Sequence, residues 1–133
     1  MAPLVAQLRI ALTVEDYDRI VAFYRDGLGL SMEAIWTNAG RAVMLGAGHA
    51  TLEVFDEAQA ASVDAIEVGQ RVSGPIRLAF EVNDLDEAVR RALDYGATLV
   101  HEPVVTPWGD RNARVLSPDG LQITLFQPAA PKA

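Results

Sequence analysis

The stretch Arg9-Ile10-Ala11-Leu12-Thr13-Val14-Glu15-Asp16-Tyr17-Asp18 recurs 68 positions on as Arg77-Leu78-Ala79-Phe80-Glu81-Val82-Asn83-Asp84-Leu85-Asp86. The match runs without a gap through Val21 and Val89 to Asp26 and Asp94. It returns at an offset of 71, where Leu45 to Phe55 lies over Leu116 to Phe126. A repeat of this length is a whole structural module. It gives each position in one half a mate in the other, and mated residues can face each other across one cavity.

Within each copy the pattern names the elements. Leu8, Ile10, Leu12 and Val14 alternate with Arg9, Ala11 and Thr13, the period of a half-buried strand. Asp16 is placed to cap a helix whose apolar stripe reads Ile20, Phe23, Tyr24, Leu28, with Gly27 and Gly29 as its stop. Strands are predicted over 30–39, 41–45 and 49–55, turning at Asn38 to Gly40 and at Gly46 to Gly48. The second copy repeats the plan. A strand over 76–82 precedes a helix started by Asp84 and Glu87, with Ala88, Val89, Ala92 and Leu93 as its stripe and Gly96 as its stop. Strands follow over 98–102, 112–116 and 121–126, the last two joined by the turn Ser117-Pro118-Asp119-Gly120.

The predicted fold is therefore α+β: two tandem β-α-β-β-β modules forming a cup-shaped mixed sheet with helices outside. The chain reads as a single domain, with module one over 8–56, a connector over 57–75, module two over 76–127 and a frayed tail over 128–133. Residues 58–66 of the connector favour a short helix. In each first strand the apolar face packs on a helix. The other face (Arg9, Ala11, Thr13; Arg77, Ala79, Glu81) is small and polar. Buried charge is costly unless it is paired or bound to a ligand, so the concave side is where function is expected.

Composition narrows the partners. Half of the 133 residues are hydrophobic and 22% are charged, with a net charge of −7. An acidic surface argues against nucleic acid and against anionic membranes. Cysteine is absent, which removes disulfides, thiolate metal sites and a cysteine nucleophile and fits a cytoplasmic setting. No signal peptide and no stretch of transmembrane length is read from the sequence.

This organisation resembles the vicinal oxygen chelate superfamily, which holds glyoxalases, extradiol dioxygenases, fosfomycin-resistance transferases and bleomycin-resistance proteins. The resemblance rests on three features and covers nearly the whole chain. They are the tandem repeat; Val14-Glu15-Asp16 leading into Phe23-Tyr24-Arg25-Asp26-Gly27-Leu28-Gly29-Leu30; and Pro107-Trp108-Gly109-Asp110-Arg111 followed by Ser117 to Phe126. It implies a divalent metal held by one side chain from the first and one from the last strand of each module. Those positions map onto Arg9, Glu53, Arg77 and Thr124.

Of these four only Glu53 suits a cation. Arginine stays protonated and has no lone pair to offer. A threonine hydroxyl is a poor ligand, and one carboxylate falls short of the roughly three protein ligands a catalytic ion takes. No metal and no cofactor is expected. In its place stands an Arg9–Glu53–Arg77 cluster, either a closed bridge that stitches the modules together or an open site for an anionic ligand group.

The expected ligand is a small organic molecule. Arg9, Trp36, His49, Glu53, Arg77, Trp108, Arg114 and Thr124 are the candidate ligand-binding residues. The two tryptophans would form aromatic walls. His49 shares a strand face with Glu53 by alternation, and Arg114 points inward if the register holds. The neighbours His101 and Glu102 face opposite ways and belong to the rim.

Three functions stay open. One is metal-independent sequestration, similar to bleomycin-resistance proteins. The second is a glyoxalase-like enzyme with Glu53 as base or with a divergent metal site. The third is a domain with a filled cavity that serves only in assembly. The resemblance also implies a homodimer.

Overall fold

The computed structural model describes residues 3–129; most of the tail expected to fray lies outside them. Module one comprises β1 (Val5–Thr13), α1 (Tyr17–Ala22), a π-helical turn (Phe23–Gly27), β2 (Ser31–Trp36), β3 (Ala42–Ala47) and β4 (Ala50–Phe55). The connector is α2 (Glu57–Val68). Module two comprises β5 (Ile76–Val82), α3 (Leu85–Asp94), β6 (Thr98–Val105), β7 (Arg111–Leu116) and β8 (Gln122–Gln127). The strands form one curled eight-stranded sheet in the order β2-β3-β4-β1-β5-β8-β7-β6.

The repeat appears in the pairing itself. β1 and β5 meet antiparallel at the centre, with Arg9 opposite Ala79 and Ala11 opposite Arg77. That register is its own mate under the 68-residue offset, so a local two-fold axis runs through the junction. On either side, Ala11 is level with Glu53 on parallel β4, and Ala79 with Thr124 on parallel β8. The modules thus pair within one chain.

Both module helices lie on the convex side. Tyr17 and Val21 pack on Val43, Leu45 and Val54, while Leu85 and Ala88 pack on Val82, Ala113, Val115 and Leu125. Asp16 and Asp84 cap these helices as expected, accepting from the N–H of Arg19 and Glu87. The stripe of the first helix departs from its expectation, because Phe23 and Leu28 are exposed. The cause is the π-helical turn, in which the Leu28 N–H bonds to the Phe23 carbonyl. A wider turn rotates later residues off a period of 3.6.

The connector departs further. Its helix is longer than expected and lies inside the cup. Asp56 caps it through the Gln59 N–H, and Gly69 closes it with a left-handed φ of 82°. Its buried residues are Gln59, Ala60, Val63, Asp64 and Glu67. Ala60 and Val63 pack on the inner-face residues Ala11, Ala42 and Phe55.

The acidic pair meets Arg114, whose side chain is fully buried. Its Nη2 donates to Asp64 at 3.1 Å and to Glu67 at 2.9 Å. Asp64 also accepts from the Ser73 hydroxyl and from the N–H groups of Val72 and Ser73. Arg71 spans from Glu57 and Asp64 to the Ser73 carbonyl. These bonds tie the helix and the segment after it to the sheet. Among the described residues no helix is long and apolar enough to cross a membrane.

Replacing Arg114 by Leu strands Glu67 and part of Asp64 as buried charge and is expected to cost about 3–5 kcal/mol, measured by urea unfolding. Burial pushes the Asp64 carboxyl up, but the Ser73 and Val72 hydrogen bonds and the Arg114 charge outweigh it and hold it at about 2. A depressed carboxyl stabilises the fold above its unfolded value near 3.9. Stability should therefore fall as pH drops from about 4 toward 2, and Asp64→Asn should flatten that part of the profile.

Candidate functional site

Between the concave face and α2 lies a cavity of about 330 Å³. Its sheet side carries Arg9, Glu53, Arg77, Ala79, Thr124 and Phe126, and its helix side carries Gln59, Val63 and Glu67. Trp36, at the end of β2, and Trp108, in the turn before β7, line the same cavity and are both part-exposed, so they stand at its mouth. Asn38 and Asp110 lie beside them.

Ala79 lines the cavity, and Ala11, its mate, packs under α2 against Ala60, Val63 and Phe55. Each sits beside the two-fold axis, Ala11 between Glu53 and Arg77 and Ala79 between Arg9 and Thr124. A larger side chain at Ala79 would enter the space that Arg9, Glu53 and Arg77 line. Gly40 fixes the wall that carries Trp36 and Asn38. Its N–H donates to Gln59 Oε1 at 3.1 Å, and a Cβ there would strike Asp56 and the Gln59 backbone.

The Arg9–Glu53–Arg77 cluster is open. Among the described residues, no ion pair within 4.0 Å involves any of the three. Arg9 Nε donates to Gln7, and its guanidinium lies 4.8 Å from the ring centre of Phe126. Arg77 Nη1 donates to Thr124 Oγ1 at 3.0 Å, and its guanidinium lies 5.8 Å from the ring centre of Phe55. The two contacts are mates under the repeat: each arginine leans on the aromatic residue of the other module. Such cation–π contacts contribute on the order of 0.5–2 kcal/mol. They hold the guanidinium groups away from Glu53.

Glu53 is left with 7% exposure and no hydrogen bond or ion pair among the described residues. Burial pushes its carboxyl above the ordinary value, against the pull of Arg77 and Arg9 and with the help of the Glu67 charge. Glu67 is the opposite case. It accepts from Arg114, Thr124 and Asn112, so three of its roughly four lone-pair sites are taken. Thr124 is committed too: it accepts from Arg77 and Arg114 and donates to Glu67.

The four family positions therefore do not fit a divalent cation. Two carry guanidinium groups, one carries a hydroxyl already spent on three partners, and only Glu53 has lone pairs to give. Among the described residues no cluster of three or more His, Asp or Glu offers a metal site elsewhere.

Six of the sequence-derived candidates meet in the cavity: Arg9, Trp36, Glu53, Arg77, Trp108 and Thr124. Two do not line it. His49 is exposed in the turn before β4 rather than in the strand, so alternation does not carry it to Glu53. Arg114 points inward as the register requires, but it is spent on Asp64 and Glu67 beneath the cavity. Sequence reasoning missed Gln59, Val63 and Glu67. Their spacing of four was the available signal, hidden because two of the three are polar.

A two-fold cup of paired modules, with the candidate residues on the first and last strand of each, is the architecture the repeat implied. The sequence matches the Glyoxalase/Bleomycin resistance protein/Dioxygenase superfamily over residues 6–125, and the chain belongs to that superfamily. Among solved structures it is similar to a hypothetical protein from Bacillus halodurans (TM-score 0.69, 16% identity, covering 98% of this chain and 97% of that one). It is also similar to methylmalonyl-CoA epimerase from Mycobacterium tuberculosis (TM-score 0.67, 24% identity, 98% and 93% covered). A third is a superfamily member from Vibrio splendidus (TM-score 0.64, 14% identity, 91% and 97% covered). At these identities the likeness is one of fold. No curated protein matches the sequence.

Removing the Glu53 charge should stabilise the protein. A raised carboxyl costs stability above its unfolded pKa and costs nothing below it, where both states are protonated. Glu53→Gln is expected to raise stability at neutral pH by about 0.5–2 kcal/mol. Thermal melts across pH should show that gain shrinking as the pH falls toward 4.

Proposed function

We propose that this chain binds a small organic molecule in the cup without a metal ion. The carrying observation is the open floor: Glu53 is buried and unpaired, with two arginines beside it that bond elsewhere. An unpaired buried charge is expensive, and such groups cluster where a protein acts on a ligand. The setting supports the reading. About 330 Å³ is within the range of small-molecule pockets, and two tryptophans, Phe126 and Val63 give the ligand apolar walls. The absence of cysteine accords with a cytoplasmic setting.

A second reading is favoured by the raised Glu53 carboxyl. A desolvated carboxylate facing a cavity is a stronger base than one in water. In this reading the protein is an enzyme in which Glu53 moves a proton on the bound molecule while Arg77 and Arg9 steady the negative charge that develops.

Native mass spectrometry of the gently purified protein is expected to retain a small molecule and no stoichiometric metal. Ala79→Phe should abolish retention with the far-UV circular dichroism unchanged. Near one metal per chain would overturn the metal-free reading, and no retained molecule in the wild-type protein would count for a filled cup. If a substrate is found, turnover lost in Glu53→Gln with binding kept would favour the enzyme.

A further inference from the structure

The state of each polar group on the floor restricts what the ligand presents to it. Arg77 has one N–H group committed to Thr124, and Arg9 has one committed to Gln7. The remaining N–H groups of both have no partner among the described residues and can donate. Glu53 has no partner and, when ionised, can only accept. Thr124 is saturated, and Glu67 has three of its roughly four lone-pair sites taken, so both have less to offer a ligand than Glu53. On the sheet floor the ligand therefore meets arginine donors beside one free carboxylate, since Glu53 and Arg77 flank Ala11 on either side; Asn112 Oδ1, on the same cavity lining, is a further acceptor without a partner among the described residues.

Resting on the reading of the cup as a ligand site, we propose that the ligand is a planar, uncharged ring compound whose edge carries a hydrogen-bond acceptor beside an N–H or O–H donor. A lactam, a cyclic imide or an aromatic carboxamide has this edge. Its carbonyl oxygen accepts from Arg77 or Arg9, its N–H donates to Glu53, and its ring lies toward Trp36 and Trp108. A carboxylate ligand would satisfy the arginines but set a like charge against Glu53, with Glu67 and Asp110 also lining the cavity. An ammonium group would satisfy Glu53 but oppose two guanidinium groups. An adjacent acceptor and donor gives Glu53 a donor and one guanidinium an acceptor at once.

Three probes of similar shape test this by isothermal titration: carbostyril, a bicyclic lactam; N-methylcarbostyril, which lacks the donor; and naphthoate, which carries a charge. Carbostyril is expected to bind at least about tenfold more tightly than the N-methyl compound, since a missing ligand donor leaves a buried acceptor unpaired. Naphthoate should bind more weakly than carbostyril. In Glu53→Leu the lactam and its N-methyl form should converge. The wild-type comparison stands without that variant should it fail to fold. Equal binding of lactam and N-methyl lactam, or tightest binding of naphthoate, would overturn the proposed edge while leaving the cup as a binding site. If none of the three binds, the proposed edge also falls. Whether the ligand-binding reading falls with it is decided by retention in native mass spectrometry, which does not depend on these probes.

Discussion

The antiparallel pairing of β1 with β5 is the constraint on which the rest of the structure depends. It joins two modules into one sheet and sets the register that places Arg9 opposite Ala79 and Ala11 opposite Arg77. A slip of one residue would turn the inner face outward. Leu8, Ile10 and Leu12 would then enter the cup, and the arginines would meet the apolar helices. The alternation of large apolar and small polar residues in both strands makes that slip costly. The cavity on the two-fold axis, and the crossing of each arginine onto the other module's phenylalanine, follow from this junction.

A second layer of order comes from charge buried under α2. Arg114, Asp64 and Glu67 are almost wholly removed from water. Such clusters add little net stability over a well-packed apolar core, but they are costly to disrupt. Their effect here is positional. Asp64 and Glu67 match the donor geometry of Arg114, Ser73 and Thr124, so α2 is held in one rotation about its axis. That rotation aims Gln59 and Val63 into the cavity. It also saturates Thr124 and occupies most of Glu67, and the only acidic oxygens at the family's ligand positions without a partner among the described residues are those of Glu53. The network that fixes the helix therefore also shapes what the floor can recognise.

The superfamily scaffold and its chemistry separate in this chain. The strand order, the paired modules and the convex helices belong to the family, while the positions that would supply metal ligands carry guanidinium groups and a committed hydroxyl. Fixed cations of the protein stand where a bound cation would otherwise gather ligand oxygens. A guanidinium differs from a metal ion in offering directed N–H donors and no open coordination position. In the proposed binding role, such a floor favours hydrogen-bonded recognition over chelation. The unpaired carboxylate beside them runs against stability, the usual mark of a site kept for binding or catalysis.

The sequence by itself determined the modules, the capped convex helices, the inward face of each first strand and the poverty of metal ligands. These follow from periods of two and 3.6 and from the valence of arginine, all local properties. The same local reasoning misplaced Phe23 and Leu28, because a π-helical turn changes the period without a signature in composition. It carried His49 into a strand that begins one residue later. It could not foresee α2 inside the cup, since the buried stripe of that helix is half polar and its partners, Arg114 and Thr124, lie 47 and 57 residues away from Glu67. Whether Arg9, Glu53 and Arg77 close on one another was likewise beyond the sequence. Thr124, Phe55, Phe126 and Gln7 compete for the same guanidinium groups, and only their arrangement in space decided that the cluster stays open.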